Sequence, residues 1–325
     1  IFGRWGEAMT EPGFVSAFAP GSIGNVAVGF DMLGLAIAGA GDRVSARRVS
    51  DPGVTIREVR GMDGQIHPSL SAAADENTAS IAAKSLWFAA GHRGGIELIV
   101  HKGVPLKSGM GSSATSAVAA VVAVNALLDE PYPTEDLLVH ALAGEQFASG
   151  GLHADNVAPS LIGGLVLCPN VLLPRMVSLK VPTGVSSVLV HPDLEVSTAD
   201  SRRGLAKTYS QEQWLTQQGY IAGFIAACEH DDLDLFAKCL RDELIEPQRA
   251  ASIPCFPDAK AAAMRSGAFG CSISGSGPSI FALCADDDAE NIAAIMKQAC
   301  QDAGYECQSW ISPMNSPGAC IETAK

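Results

Sequence analysis

At 325 residues the chain can hold one large domain or two of ordinary size, and 47% hydrophobic against 18% charged residues supplies a proper core, which excludes disorder and low complexity. A formal charge of −13 argues against non-specific nucleic-acid binding, which relies on Lys and Arg neutralising phosphates, but leaves room for a phosphate ligand held by backbone N–H groups and a few local cations. The nine cysteines are odd in number and scattered, with no C-x-x-C pair, as expected for reduced, buried thiols in a cytosolic protein.

In chain order, "IFGRWGEA" precedes Met9 and shows no pattern and no signal peptide, so residues 1–13 read as an extension or a cloning remnant. "VSAFAPGSIGNVAVGFDMLGLAIA", Val15 to Ala38, begins with strand-like alternation and is expected to break at Pro20-Gly21 into a loop. "DRVSARRV" and "GVTIREV" read as a hairpin around Asp51-Pro52-Gly53. A helix follows over Asn77 to Ala90, capped by Asp75 or Asn77, and then a strand in "GGIELIVHKGVP". Ala114 to Leu128 is apolar for 15 residues, short of the roughly 20 that cross a membrane, so a buried helix is expected there. Thr134 to Ser149 reads as an amphipathic helix capped by Thr134, closed by Gly150-Gly151 and a polar turn, "LHADN". Past "GGLVLCP" come short strands in "VSLKV" and "SSVLVHP", then helices over Gln211 to Glu229, Leu233 to Leu244 and Asp258 to Ser266. A strand, glycine turn and strand in "GCSISGSGPSIFALC" precede a last helix from Asp288 to Ala303. The mixture lacks strict βαβα repetition, which favours α+β, with a boundary near Cys168-Pro169 separating residues 14–168 from 169–325.

The segment most in need of a reason is "VPLKSGMGSSATSAVAAVVAVNALL", Val104 to Leu128, where side chains are stripped from a loop just before a helix. Backbone N–H groups converging there, with the positive end of the helix dipole behind them, make a phosphate cradle. Tight loop packing alone would also favour Gly and Ser. No G-K-[ST] run occurs, so this is not a Walker A loop. The spacing of Gly109, Gly111 and Ala114 fits G-x-G-x-x-A, but Pro105 to Ser108 separate it from the strand. The helix then runs into Asp129-Glu130-Pro131 rather than into a second strand ending in an acid, which removes the dinucleotide reading.

"PLKSGMGSSATSA" resembles the ATP-phosphate motif of the GHMP small-molecule kinases, and "APGSIGNVAVGFDMLGLAI" and "SISGSGPSIFAL" resemble that family's other two motifs in order and spacing. "HADNVAPSLIGG", "VSTADSR" and "EPQR" narrow the likeness to the homoserine-kinase branch, over about Val15 to Cys284. Met110 stands where Leu is more usual, and Gly21-Ser22-Ile23-Gly24 where Ala-Ser-Ser-Ala is common. The stretch from Gln301 to Lys325 adds little. The resemblance implies an α+β N-terminal domain shared with a ribosomal protein and a ferredoxin-like C-terminal domain. ATP would lie between them, and a homodimer would form in the cytoplasm. It implies phosphorylation of the γ-hydroxyl of L-homoserine with ATP and Mg²⁺, on the route to threonine. The rival readings are a GHMP kinase for another small alcohol, such as mevalonate, and a non-catalytic ligand-binding relative.

Residue by residue, the resemblance implies that Pro105, Leu106, Lys107, Ser108, Gly109, Met110, Gly111, Ser112, Ser113, Ala114 and Thr115 wrap the triphosphate. Gly275 and Gly277 would brace that loop, and Asn77 and Lys102 would line the adenine pocket. Ser113 and Glu145 would hold Mg²⁺, a hard cation that takes oxygen ligands. Homoserine is a zwitterion with a hydroxyl, and Arg202 and Arg249 suit its carboxylate, since guanidinium grips a carboxylate with two parallel bonds. Asp31 suits its ammonium, with Asn25, His153, Asn156 and Thr198 as polar neighbours. Ser113, Glu145 and Arg202 are the expected catalytic set. Asp155 matches an assigned general base in mevalonate-kinase relatives, but with an ordinary pKa of about 4 it would be a weak base for an alcohol.

Overall fold

The computed structural model describes residues 13–322, so the expected N-terminal extension lies, but for Gly13, outside the described residues. Strand β1 (Val15–Gly24) does not break at Pro20-Gly21. It continues through a register shift between Pro20, which pairs with Gly41, and Ser22, which pairs with Ala36, the surplus residues bulging from the long antiparallel partner β2 (Leu33–Val49). The expected hairpin does not form. β3 (Gly53–Arg60) leaves β2 and returns parallel to β4 (Gly95–His101), which takes the place beside β2. Between them runs α1 (Thr78–Ala89), whose cap is Asn77: its Oδ1 accepts the Ala79 N–H at 3.0 Å, a contact worth about 1 kcal/mol.

The apolar run forms α2 (Ser112–Asn125), which begins two residues earlier than its hydrophobicity suggests. α3 (Leu138–Ser149) follows a 3₁₀ turn over Thr134–Leu137; the N-cap position of that turn is Pro133, and Thr134 caps nothing. The expected polar turn "LHADN" opens a helix instead, α4 (Ala154–Ile162). α4 can lie against β2 because residue 34 is glycine: a Cβ there would stand 1.8 Å from the Asp155 carbonyl oxygen. Helices α1, α2, α3 and α4 form one layer and bury a core of small residues, mostly Ala and Val, against the sheet.

Either side of Cys168 the chain still adds to the same sheet: β5 (Leu165–Leu167), just before it, pairs with β2 and with β6 (Val177–Leu179), just after it. β7 (Val185–Pro192) starts a second, four-stranded antiparallel sheet. Then come α5 (Thr198–Arg203), α6 (Gln211–His230), α7 (Leu233–Cys239), α8 (Glu246–Arg249) and α9 (Phe256–Arg265). α7 is shorter than its apolar pattern predicted, because residues 242–246 form a turn around the Asp242 carboxylate. β8 (Gly270–Ile273), β9 (Ile280–Ala285) and α10 (Ala289–Asp302) fall where the sequence places them. The stretch that adds little to the resemblance supplies two edge strands among its described residues. β10 (Cys307–Pro313) edges the second sheet beside β7, and β11 (Cys320–Glu322) edges the first beside β1.

The second sheet has order β10-β7-β9-β8, with α9 and α10 on one face. Its other face, with Phe224 and Phe236 of α6 and α7, shares a core with Ile23, Leu33, Leu35 and Ile37 of the first sheet. All nine cysteines are free thiols and seven are buried, as small hydrophobes are.

Candidate active site

Where the two sheets meet, residues from both surround a cavity of about 480 Å³. On one wall, β4 passes into the stripped loop and then α2. Gly111, with φ 70°, ends the loop in the left-handed conformation, and no side chain caps the first turn of α2. Ser113 is therefore not a helix cap. Its hydroxyl donates to Glu145 Oε2 at 2.6 Å, and Glu145 is 5% exposed on α3. The glycine turn of the second sheet braces the loop: Ser274 Oγ donates to the Gly109 carbonyl at 2.6 Å, and the Ser279 N–H to the Ser108 carbonyl at 3.1 Å. Only glycine fits at 109, where φ is 76° and a Cβ would lie 2.4 Å from the Ser274 carbonyl oxygen.

Within the loop, Leu106, Lys107, Ser108, Gly109, Gly111, Ser112 and Ser113 line the cavity. Met110 and Ala114 point into the cores, and Thr115 turns inward. Pro105 and Gly277 do not line the cavity, while Gly275 does. Gly277 serves the turn itself, its N–H donating to the Ser274 carbonyl.

Asn77 and Lys102 line the same cavity, but both side chains already have work. Asn77 caps α1 and also donates to the Ser71 carbonyl. Lys102 is buried beneath the loop, where its ammonium meets Asp42, the Ser112 carbonyl at 2.6 Å and Ser116 Oγ at 2.8 Å. Asp42 is the residue sequence reasoning missed. This fully buried carboxylate on β2 also accepts from the Gly103 N–H and from the Thr115 and Ser116 hydroxyls, so it ties strand, loop and helix start together. A lone Asp within the apolar stretch "LAIAGAGDRVSA" was the available signal.

The opposite wall is charged. Asn25, with φ 69°, donates to the Gly275 carbonyl and accepts the Asp31 N–H. Asp31 and Arg202 form a two-bond pair at 2.7 and 2.8 Å. Arg249, 4% exposed, donates to the Gly275 carbonyl at 2.6 Å. Phe30, also missed, lies beneath both guanidiniums at 5.4 and 5.2 Å. Asn156 accepts from the Ser22 hydroxyl, and the hydroxyls of Thr198 and Ser276 meet at 3.0 Å, linking α5 to the glycine turn. His153 stands 3.9 Å from Glu145, and burial, with Arg202 beside it, lowers its pKa and keeps the ring neutral.

Asp155 differs from expectation. It is 3% exposed on α4, and burial, with Asp31 and Glu145 nearby, pushes its carboxyl up to about 7. The ordinary value near 4 belongs to a hydrated carboxyl, and burial strips this one of most of its hydration. Because the folded value lies above the unfolded 3.8, folding is penalised once the pH passes 3.8, and the penalty is complete above about 7. Asp155→Asn should therefore stabilise the unliganded protein at pH 8 by on the order of 4 kcal/mol. The gain should fade towards pH 4, and melting temperatures of parent and variant across that range check it. An equal gain at both ends would show that ionisation is not the cause.

Three buried polar atoms of this region have no hydrogen-bond partner among the described residues: Arg202 Nε, Arg249 Nε and Asp155 Oδ1. Two cationic arms, the carboxylates of Asp31, Glu145 and Asp155 and a helix start thus surround one space, suited to a small zwitterion beside a polyphosphate.

The GHMP kinases N terminal domain family matches residues 77–164, and the GHMP kinases C terminal family matches residues 224–302. Homoserine kinase of Xylella fastidiosa is 45% identical over 93% of this chain and 92% of its own, as is that of Xanthomonas campestris. The crystal structure of homoserine kinase from Cytophaga hutchinsonii superposes with a TM-score of 0.91 at 38% identity, covering 98% of this chain and all of the other.

Proposed function

The chain belongs to the GHMP kinases, in their homoserine kinase branch, and from that premise we propose that its cavity joins ATP to L-homoserine and yields O-phosphohomoserine and ADP, a step towards threonine. The observation that carries this reading is the convergence of Arg202, Arg249, Asp31 and Asp155 in the same cavity as the Ser113–Glu145 pair. A zwitterionic head laid against the Asp31–Arg202 pair meets opposite charges at both ends, its ammonium on Asp31 and its carboxylate on the two guanidiniums. Mevalonate has no ammonium to offer Asp31.

Phosphoryl transfer asks the protein mainly to place the acceptor hydroxyl in line and to neutralise phosphate charge. The loop from Leu106 to Ser113 supplies backbone donors and the end of α2 for the triphosphate. Ser113 and Glu145 offer the hard oxygen donors that Mg²⁺ prefers, two from the protein, which suits a metal whose other ligands are phosphates and water. When bound, Mg²⁺ neutralises charge on the transferring phosphate. Asp155, half-ionised near neutrality, can take the hydroxyl proton more readily than an ordinary carboxylate, while positioning carries most of the rate.

The same proposal includes a homodimer in the cytoplasm; no helix among the described residues is long and apolar enough to cross a membrane. It also includes the division near Cys168-Pro169 into an ATP-binding and a C-terminal unit, with the two family matches on either side, although β6 and β11 return from beyond that point to complete the first sheet.

Initial-rate assays of ADP release over amino-acid, sugar and isoprenoid alcohols test the acceptor, with L-homoserine the expected substrate. L-Threonine carries the same head but holds its hydroxyl one carbon nearer to it. A misplacement of roughly 1 Å can cost about 10²-fold in rate, so threonine should bind and react poorly. It should compete with homoserine and not with ATP. Inhibition that excess homoserine does not relieve would place threonine at a separate site.

A further inference from the structure

The buried face of α6 carries Gln217, Ile221, Phe224 and Cys228, a helical stripe whose first position is polar where an apolar residue would ordinarily stand. Gln217 is 8% exposed and follows six exposed residues. A buried amide needs partners for both ends. Its Nε2 donates to the Val28 carbonyl at 2.9 Å, and its Oε1 accepts the Glu243 N–H at 3.1 Å.

Those partners belong to the two segments that bring charge to the acceptor. Val28 lies in the turn from Asn25 to Asp31, where Asn25, Val26, Ala27 and Asp31 all have φ between 45° and 69°. Residues with a Cβ, and β-branched Val26 above all, adopt this region only when their surroundings hold them there. The turn's own bonds are Val28 N–H to Val26, Gly29 N–H to Asn25, and Asp31 N–H to the Asn25 side chain. Glu243 lies in the second segment, where Asp242 accepts the N–H groups of Leu244, Ile245 and Glu246 and so starts α8, which carries Arg249.

We infer that Gln217 is a positioning residue for the acceptor: one amide spans the strained turn bearing Asp31 and the loop bearing Arg249 and fixes the spacing between them. The inference rests on the homoserine reading for its kinetic consequence alone. Gln217 touches neither the phosphate loop nor the cavity, so the nucleotide half should not feel its loss.

Gln217→Leu keeps the size and extends the apolar stripe, so α6 should stay docked. The homoserine KM should rise about 10-fold, the loss of one or two neutral hydrogen bonds, with the ATP KM within about twofold. Hydrogen exchange read by mass spectrometry should quicken together in residues 25–33 and 241–249. Gln217→Glu keeps the acceptor for Glu243 and loses the donor to Val28, so exchange should quicken in residues 25–33 alone. Unchanged exchange in both segments, or equal rises in both KM values, overturns the inference. Were the parent enzyme inactive on homoserine, the acceptor assignment would fall, and the exchange pattern would still decide the role of Gln217.

Discussion

Replacing Glu145 by Gln should lower turnover by about 10²-fold or more while leaving the fold intact. The amide has the shape of the carboxylate and can still accept the Ser113 hydroxyl, now at 2.6 Å, so packing around α3 is preserved. What disappears is the negative charge through which the pair would hold a hard divalent cation. The defect should appear most strongly at limiting Mg²⁺ and ease as Mg²⁺ is raised. Steady-state rates over a Mg²⁺ titration, with a melting curve beside them, separate this from misfolding. Turnover near the parent value at limiting Mg²⁺ would remove Glu145 from the metal site.

Arg249→Leu should act on the other half of the cavity. Losing a charged hydrogen bond costs roughly 1.5–3 kcal/mol, so the homoserine KM should rise about 10- to 150-fold. The ATP KM should move far less, since the α-carboxylate belongs to the acceptor alone. A small ATP effect is built into the structure, because Arg249 also donates to the Gly275 carbonyl and Gly275 abuts Gly109. Kinetics with each substrate varied in turn give the two constants. A larger rise for ATP than for homoserine would assign Arg249 to the nucleotide side.

The two variants probe parts of the site that were legible to different degrees. In the loop expected to hold phosphate the glycines were legible and the other residues only in part: Pro105, Met110, Ala114 and Thr115, expected to wrap the triphosphate, do not line the cavity. Gly109 and Gly111 have the left-handed backbone that such a loop requires. Glu145 could not be read that way. On a helix surface a lone Glu is usually solvated, and it gained meaning when α3 packed against α2 and brought it to Ser113. Asp31, Arg202 and Arg249 likewise lie far apart in the chain and meet through the joining of two sheets.

The local pattern misled where a distant partner outweighed it. Pro20-Gly21 signals a break, yet β1 continues because the longer β2 bulges opposite it and pairs on both sides. Asp51-Pro52-Gly53 signals a hairpin, yet β4 inserts between the two strands, a choice made by a segment some forty residues on. "HADN" looks like a turn, yet it starts a helix because Gly34 gives the α4 backbone room on β2.

By itself, then, the sequence determined whatever rests on local chemistry: the apolar helix, the glycine turns, the family motifs and the residue types of the site. Tertiary structure alone decided strand order, the buried Asp42–Lys102 support beneath the loop and the elevated Asp155 carboxyl. The reason is physical: pairing and desolvation depend on which groups water cannot reach, and that depends on segments far away in the chain.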